Sequence, residues 1–305
     1  MREQFRCNRK APRGAFFVGV FRRLILPGLA LVISAAPVQA TPDCSLPDAA
    51  KAESVQAEKV LDGDTLVLTD GRRVRLIGVN TPEVEHPPRP AEPLADDALR
   101  QLQQLAGKSP LYLQVGDQPR DHYGRTLGHL YAADGRNVIA ELLRSGMGFQ
   151  VAIPPNLAHA DCYAAAQAQA RNAGTGVWKH DYFKPQPADS DTLKGGYQRV
   201  QGRVEKVSLT KKVIWVDLAG KVSLKLDRRH AAYLDDATLD QVVAQSRAGP
   251  GAAGLVLEVR GWLIDRSKWG GRMQQQIATG QRKRFMVNLS HFSQWETLPV
   301  SNQSH

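Results

Sequence analysis

Long apolar runs are missing from this sequence. No stretch of about 20 uncharged apolar residues occurs, which excludes a polytopic membrane protein. Cysteine is scarce, with three residues in 305, and the cysteines lack the close spacing of a zinc site. Hydrophobic residues make up 42% and charged residues 23%, values that exclude a fully disordered or collagen-like chain. The length allows one large domain or two of ordinary size.

Positive charge is unevenly distributed. The formal net charge is +10, and residues 1–40 hold seven Lys and Arg against one Glu. Residues 41–187 carry 15 Lys and Arg against 18 Asp and Glu, whereas residues 188–305 carry 18 against 11. A basic surface suited to an anionic partner is therefore expected in the C-terminal third.

Residues 1–40 have the pattern of a signal peptide. A basic stretch ends at Arg22-Arg23, and Val38-Gln39-Ala40 places small residues where signal peptidase reads them. The apolar run Leu24–Pro37 spans about 14 residues, too few for a spanning helix. This predicts export to the periplasm or the medium with no membrane span after signal removal; an uncleaved N-terminal anchor is the alternative.

Two cysteines remain after signal removal, because Cys7 leaves with the signal. An exported chain with an even number of cysteines most simply pairs them, which predicts a Cys44–Cys162 disulfide. Two unrelated thiols are the alternative, since the sequence does not give their distance.

Hydrophobic patterning divides the mature chain into two β-rich parts. A tail at 41–54 precedes a first domain at 55–183 and a Pro- and Gly-containing linker at 184–196, followed by a basic domain at 197–299 and a tail at 300–305. The first domain is predicted to be α+β, with helices over Leu94–Leu105, Val138–Arg144 and His159–Arg171. Three strands, a helix and two strands predict a small OB-like barrel for the second domain.

Acidic and basic residues cluster at predicted turns and strand ends of the first domain. The motifs are Asp62-Gly63-Asp64-Thr65, Arg75 to Glu83 and Asp121 to Arg125. Oxygen donors without histidine or thiol suit Ca²⁺ or Mg²⁺. Arginine forks beside such a cation suit a phosphodiester, and a nearby carboxylate could take a proton from water.

The order DGDT, RLIGVNTPE, DHYGR and a helix ending near Gly176-Val177-Trp178 resembles the thermonuclease (staphylococcal-nuclease-like) family over about residues 55–183. The resemblance implies a five-stranded OB-type barrel with three helices. It also implies a calcium-dependent nuclease that cleaves DNA and RNA and leaves 3′-phosphate ends.

Residue roles follow from the same resemblance. Asp64 matches a calcium-ligand aspartate, and Thr81 matches a residue whose carbonyl binds the metal. Arg75 and Arg125 match the arginines that hold the scissile phosphate. Glu83 matches the general base, and Tyr123 a tyrosine that contacts a terminal phosphate.

Two departures from the family pattern bear on function. Asn80 stands where a second metal-binding aspartate is expected, which predicts weaker calcium binding because an amide brings no charge. The segment Val151 to Asn156 lacks the tyrosines that flank the nucleotide base. A catalytically weak or dead OB-type module, binding nucleic acid or an envelope partner, is therefore the alternative function. In either case the basic C-terminal domain is a candidate second contact for nucleic acid, with Trp262 and Trp269 as stacking surfaces. Its basic segments are Arg228-Arg229, Arg266-Ser267-Lys268-Trp269 and Arg282-Lys283-Arg284. Solvated loop charges, or a contact with acidic envelope lipids, are the alternatives.

Overall fold

The computed structural model describes residues 44–46, 52–107, 110–234, 236–245 and 254–299. The predicted signal peptide and C-terminal tail lie outside these ranges. Within them, no helix has the length and apolar character needed to cross a bilayer.

The first domain is built on a six-stranded sheet in the order β1-β6-β7-β4-β3-β2. Neighbouring strands are antiparallel except β4 and β7, which run parallel. A separate two-stranded ribbon pairs β5 with β8, placing Asn80 opposite Phe149. The strands are β1 Glu53–Val55, β2 Ala57–Asp62, β3 Thr65–Leu68, β4 Arg73–Leu76, β5 Val79–Asn80, β6 Leu111–Arg120, β7 Thr126–Tyr131 and β8 Phe149–Gln150.

Three helices cover this sheet, at the positions that periodicity predicts. They are α1 Ala95–Ala106, α2 Val138–Arg144 and α3 Ala160–Ala173. Helix α2 begins after Asn137, whose side chain accepts a hydrogen bond from the Ala140 amide, and α3 ends at the left-handed Gly174. Buried Leu, Val and Ile side chains from the helices and sheet form a single core cluster.

The second domain is a closed barrel. Its strands follow the order β10-β11-β12-β14-β13, and β13 pairs back onto β10. Strands β9 and β15 extend the sheet at its edges, and the pair β12–β14 is parallel. The elements are β9 Gln186–Pro187, β10 Gly196–Leu209, β11 Val213–Leu218, β12 Val222–Asp227, α4 Asp236–Gln245, β13 Val256–Asp265, α5 Gly271–Ala278, β14 Phe285–Leu289 and β15 Trp295–Leu298.

Both domains share one strand arrangement. In the first domain the strands β2, β3 and β4 are antiparallel and a helix follows; β4 then pairs in parallel with β7, which is antiparallel to β6. In the second domain the strands β10, β11 and β12 are antiparallel and a helix follows; β12 then pairs in parallel with β14, which is antiparallel to β13. This is the Greek-key order of the OB fold. The predicted α+β class with an OB-type barrel is confirmed, and the second β-rich domain repeats the same topology.

Residues 184–196, predicted as a linker, pack onto the second barrel. The Ala188 amide donates to the Gln201 carbonyl over 2.8 Å, and the Lys221 amide donates to the Ala188 carbonyl over 2.7 Å. Ala188 and Leu193 are buried in the second core. A Pro- and Ser-rich composition does not reveal such contacts, because they depend on hydrogen bonds to distant strands.

Cys44 and Cys162 form a disulfide in the structure, with their Cα atoms 5.6 Å apart. Cys162 is buried on α3, and Cys44 packs against the first core. Because the bond closes a loop with a sequence separation of 118, chain entropy gives a stabilisation of up to about 4–5 kcal/mol. The bond therefore ties the N-terminal segment to the last helix of the first domain.

Candidate active site

A cleft of about 690 Å³ opens on the first barrel. Its walls come from the β2–β3 turn, the β4–β5 segment, the turn at 121–125 and the loop at 151–156. The lining includes the sequence-predicted residues Asp64, Arg75, Asn80, Glu83, Tyr123 and Arg125, and it also includes Asp62 and Trp262. Thr81 does not line the cleft itself, but its amide donates a hydrogen bond to Asp64, which does.

The Asp64 carboxylate is held by Thr81, which follows β5, and by Arg75 of β4. One carboxylate oxygen, Oδ2, accepts hydrogen bonds from the Thr81 amide and hydroxyl over 2.9 and 3.1 Å. The same oxygen lies 3.0 Å from Nη2 of Arg75. The turn needs glycine at position 63, because a Cβ there would lie 2.6 Å from the Ala98 Cβ and 2.7 Å from the Thr81 hydroxyl.

Arg75 is fixed by the backbone around it. Its Nη1 donates to the carbonyls of Leu76 and Val79, each over 2.9 Å, and its Nη2 donates to Oδ1 of Asn80 over 3.3 Å. These bonds hold the guanidinium fork at the cleft wall, where it reaches both Asp64 and Asn80.

Arg125 occupies the opposite turn and is oriented by Asp121. Its Nε donates to Oδ2 of Asp121 over 2.7 Å, and its amide donates to Oδ1 over 2.9 Å. Burial alone would raise the pKa of Asp121, but the hydrogen bonds from Arg125 lower it overall. The guanidinium carbon of Arg125 lies 5.4 Å from the ring centre of Tyr123, a side chain that is 74% exposed.

Glu83 stands at the mouth of the cleft. The backbone of this residue is anchored by Glu92: the Glu83 amide donates to Oε2 of Glu92 over 3.1 Å, and the Glu92 amide donates to the Glu83 carbonyl over 2.9 Å. Partial burial and the charge of Asp64 raise the pKa of Glu83 above its ordinary value. A carboxylate with a raised pKa is a stronger proton acceptor, as a general base requires.

The oxygen donors on this wall fit a hard divalent cation. Asp62, Asp64 and Asn80 lie along one side of the cleft, and burial together with the charge of Asp64 raises the pKa of Asp62 to about 7. Crowded carboxylates of this kind favour a bound cation, and all the donors are oxygens. In the described ranges no group of three or more His, Cys, Asp or Glu side chains is placed to hold a metal, so Asn80 or backbone oxygens would have to complete the set.

The predicted basic segments of the second barrel are partly neutralised. Arg229 pairs with Asp227, Lys283 with Glu205 and Arg284 with Asp265. Arg266 is buried, and its guanidinium carbon lies 6.0 Å from the ring centre of Trp215, while that of Arg282 lies 5.7 Å away. Two cations, Arg266 and Arg282, therefore lie beside Trp215 on β11.

Sequence patterns assigned no individual role to Asp121 or Glu92, and they predicted Trp262 as a stacking surface of the second domain and not as part of this cleft. Asp121 orients Arg125, Glu92 anchors Glu83, and Trp262 reaches the cleft from the second barrel. The acid four residues before an arginine in a Gly-containing turn was a usable signal for Asp121. Trp262 is more than 100 residues along the chain from every other residue that lines the cleft, and this separation hid its contribution.

Comparison with known proteins agrees with this geometry. The model of the family described as "Staphylococcal nuclease homologue" matches residues 73–180. Similar proteins include a thermonuclease of Staphylococcus intermedius, 31% identical over 125 residues, which are 40% of this chain and 74% of the relative. Endonuclease YncB of Bacillus subtilis is 32% identical over 127 residues, or 40% of this chain and 59% of the relative. A thermonuclease of Staphylococcus hyicus is 29% identical over 126 residues, covering 40% and 73%.

The family match and the nuclease relatives, together with a cleft that holds two arginines and several carboxylates, make this protein a hydrolytic nuclease. The chain belongs to the staphylococcal nuclease homologue family, through its first domain. The second barrel lies C-terminal to the matched segment.

Proposed function

We propose that this protein is an exported, calcium-dependent nuclease that hydrolyses phosphodiester bonds of DNA and RNA and leaves 3′-phosphate ends. One observation carries the proposal: Arg75, Arg125 and Glu83 line the same cleft as the oxygen donors Asp64 and Asn80. Export rests on the signal-like residues 1–40, and the Cys44–Cys162 disulfide suits an oxidising compartment.

The residues of the cleft divide the chemistry among them. Arg125, whose Nε is held by Asp121, presents its Nη groups to the non-bridging oxygens of the phosphate. Arg75, whose Nη groups bond within the cleft wall, contributes its positive charge, and the two arginines together offset the charge that develops during attack. Glu83 takes a proton from a water molecule, whose oxygen forms the new bond to phosphorus. The bond from phosphorus to the 5′-oxygen breaks, and that oxygen takes a proton from solvent water and leaves as an alcohol, so the phosphate stays on the 3′ side. Glu83 returns its proton to solvent, which restores the base.

Asp64, Asn80 and the Thr81 carbonyl would hold the calcium ion. When bound, Ca²⁺ supplies positive charge to the phosphate and a binding position for water. Arg75 bonds to both Asp64 and Asn80, so its guanidinium lies beside the side chains that would hold the ion. The arginine therefore lies next to the phosphate that the ion would bind.

The proposal is tested by incubating a labelled oligonucleotide with the protein in Ca²⁺ or in a calcium chelator. We expect cleavage in Ca²⁺ and none in chelator. The products should become substrates for polymerase extension only after phosphatase treatment, because a 3′-phosphate blocks extension. Extension without phosphatase would overturn the product assignment. An absence of cleavage with retained binding would favour the alternative, a catalytically dead binding module.

Restoring an acid at position 80 should tighten calcium binding. Asn80→Asp adds a full ligand charge to the donor set, and charge count is a main determinant of calcium affinity, so the midpoint of a calcium titration of activity should fall on the order of tenfold. Asn172→Asp makes the same chemical change at an exposed position of α3 outside the cleft; it is the matched control and should leave the midpoint in place. An unchanged midpoint in Asn80→Asp would show that residue 80 is not a ligand.

We also propose that the second barrel contacts nucleic acid around Trp215. Trp215 lies directly opposite Lys225 in the β11–β12 pair, so both side chains share one face of the barrel. Arg282 lies beside the same ring. An aromatic ring among cations is a typical contact for single-stranded nucleic acid, and the face formed by strands two and three is the usual ligand face of an OB fold.

The salt dependence of cleavage distinguishes a specific contact at Trp215 from a general effect of net charge. For single-stranded DNA, Lys225→Ser with Arg282→Ser should reduce the slope of log(kcat/KM) against log salt by up to about 1.4, because two phosphate contacts are lost. Lys221→Ser with Arg229→Ser removes the same charge from residues paired with Asp191 and Asp227, and should change the slope little. Equal slopes for the two double variants would remove the proposed contact.

A further inference from the structure

We propose that Trp262 of the second barrel is the platform on which a base of the substrate stacks in the nuclease cleft. The inference rests on the proposed nuclease function and names the part of the substrate that this cleft recognises. Trp262 is 38% exposed and lines the cleft together with Asp64, Arg75 and Arg125. It is contributed by a domain that lies outside the matched nuclease segment.

One face of the β10–β13 pair packs against the first domain. Glu258, Arg260 and Trp262 alternate along β13 and therefore point to the same side, whereas Leu257, Val259 and Leu263 point into the barrel core. Glu258 is 3% exposed and Arg260 is 7% exposed, values unusual for outward-facing charged residues of a barrel. The first domain covers them.

Charged and aromatic contacts fix this packing. Arg171 of α3 forms a two-pronged ion pair with Glu296, with contacts of 2.8 and 2.6 Å. The guanidinium carbons of Arg199 and Arg260 lie 4.8 and 5.8 Å from the ring centre of Trp178. These contacts hold the second barrel against the nuclease domain, so the position of Trp262 is set by the fold.

A row of aromatic contacts connects Trp262 to the catalytic wall. Phe149 lies opposite Asn80 in the β5–β8 ribbon and stacks on Tyr197, with ring centres 5.4 Å apart and planes at 25°. Tyr197 in turn meets Trp262 edge to face, with ring centres 5.2 Å apart. Tyr197 therefore supports the ring of Trp262 from one side.

Outside Trp262, the rings that line the cleft are His122 and Tyr123 of the 121–125 turn, whose ring centres lie 3.7 Å apart. The 151–156 loop contributes Val151, Ile153 and Asn156 to the cleft, and none of these is aromatic. On the opposite turn, Tyr123 lies over Arg125, where phosphate is expected. A nucleotide whose phosphate meets the two arginines thus has Trp262 as the large planar surface supplied by the second barrel. Since a base must leave its duplex to stack on protein, the inference assigns unpaired, base-bearing strands as the preferred substrate.

The test measures binding separately from cleavage, in the full chain carrying Glu83→Gln. Fluorescence anisotropy gives the dissociation constants of labelled oligothymidylate and of an abasic oligomer of equal length, both in Ca²⁺. Trp262→Ala should weaken oligothymidylate binding roughly 5- to 150-fold and leave abasic binding within about twofold, because stacking needs a base. Trp262→Phe keeps a smaller ring and should lose less.

Phe292→Ala is the matched control, since Phe292 is an aromatic residue of the second domain with the same exposure, 38%, and does not line the cleft. It should change neither dissociation constant. Equal weakening of both oligomers by Trp262→Ala would show a structural role, and unchanged oligothymidylate binding would show no role; either result overturns the inference. Failure of the parent chain to cleave would instead count against the proposed function, because the binding comparison does not depend on cleavage.

Discussion

Arg75→Ala and Arg125→Ala should each lower kcat by about 10²- to 10³-fold, because each removes a preorganised donor from the charge that develops on the phosphate. KM should change less than kcat, since the donors act mainly in the transition state. Steady-state cleavage of a labelled oligonucleotide at saturating Ca²⁺ measures both quantities. Arg75→Lys keeps the charge but loses the fork, so its rate should fall between those of wild type and Arg75→Ala.

The chain contains closely matched controls for these arginines. Arg72 and Arg136 each donate their amide and Nε to an aspartate two residues earlier, much as Arg125 does to Asp121, and neither lines the cleft. Arg72→Ala and Arg136→Ala should retain near wild-type kcat. Losses as large in the controls as in Arg75→Ala would assign the effect to fold stability and not to catalysis. Thermal unfolding of each variant checks the same point independently.

Glu83→Gln should lower kcat by at least about 10²-fold while leaving oligonucleotide binding intact, because the amide keeps the shape but no longer accepts the proton. The backbone bonds between residue 83 and Glu92 do not involve the substituted group, so the loop should keep its place. Single-turnover cleavage and anisotropy measure the two quantities separately.

Glu85→Gln makes the same chemical change two residues along the exposed loop and outside the cleft. It should have wild-type kcat. If Glu83→Gln also retained wild-type kcat, the proton would have to go to another group, and the assignment of Glu83 as base would be wrong.

Local patterns predicted much of the first domain. Helix α2 is found at the predicted residues Val138–Arg144, because its apolar spacing, its Asn137 cap and the glycine that follows it all agree. Strands β2 and β3 are separated by the Asp62-Gly63-Asp64 turn, as the interrupted alternation indicates. The motif residues meet in one cleft because each lies at a turn or strand end of the same barrel face.

Local sequence patterns did not predict the contacts between distant segments. Helix α5 was not predicted from the sequence, because it spans only eight residues between glycine-containing turns and none of its residues is fully buried. The alternation of residues along β13 predicts that Trp262 points outward from the barrel. The local sequence does not show that another domain covers Glu258 and Arg260, which point to the same side. The charge excess after residue 187 likewise hides the ion pairs that neutralise Arg229, Lys283 and Arg284.

The central claim is that the cleft of the first barrel hydrolyses phosphodiesters through its two arginines. The most direct measurement compares wild type with the Arg75→Ala/Arg125→Ala double variant on a labelled single-stranded oligonucleotide at saturating Ca²⁺, with the Arg72→Ala/Arg136→Ala variant alongside. We predict rapid cleavage by wild type and by the control pair, and a loss of at least about 10³-fold in the cleft variant. Full activity in the cleft variant, with the protein folded, would contradict the account.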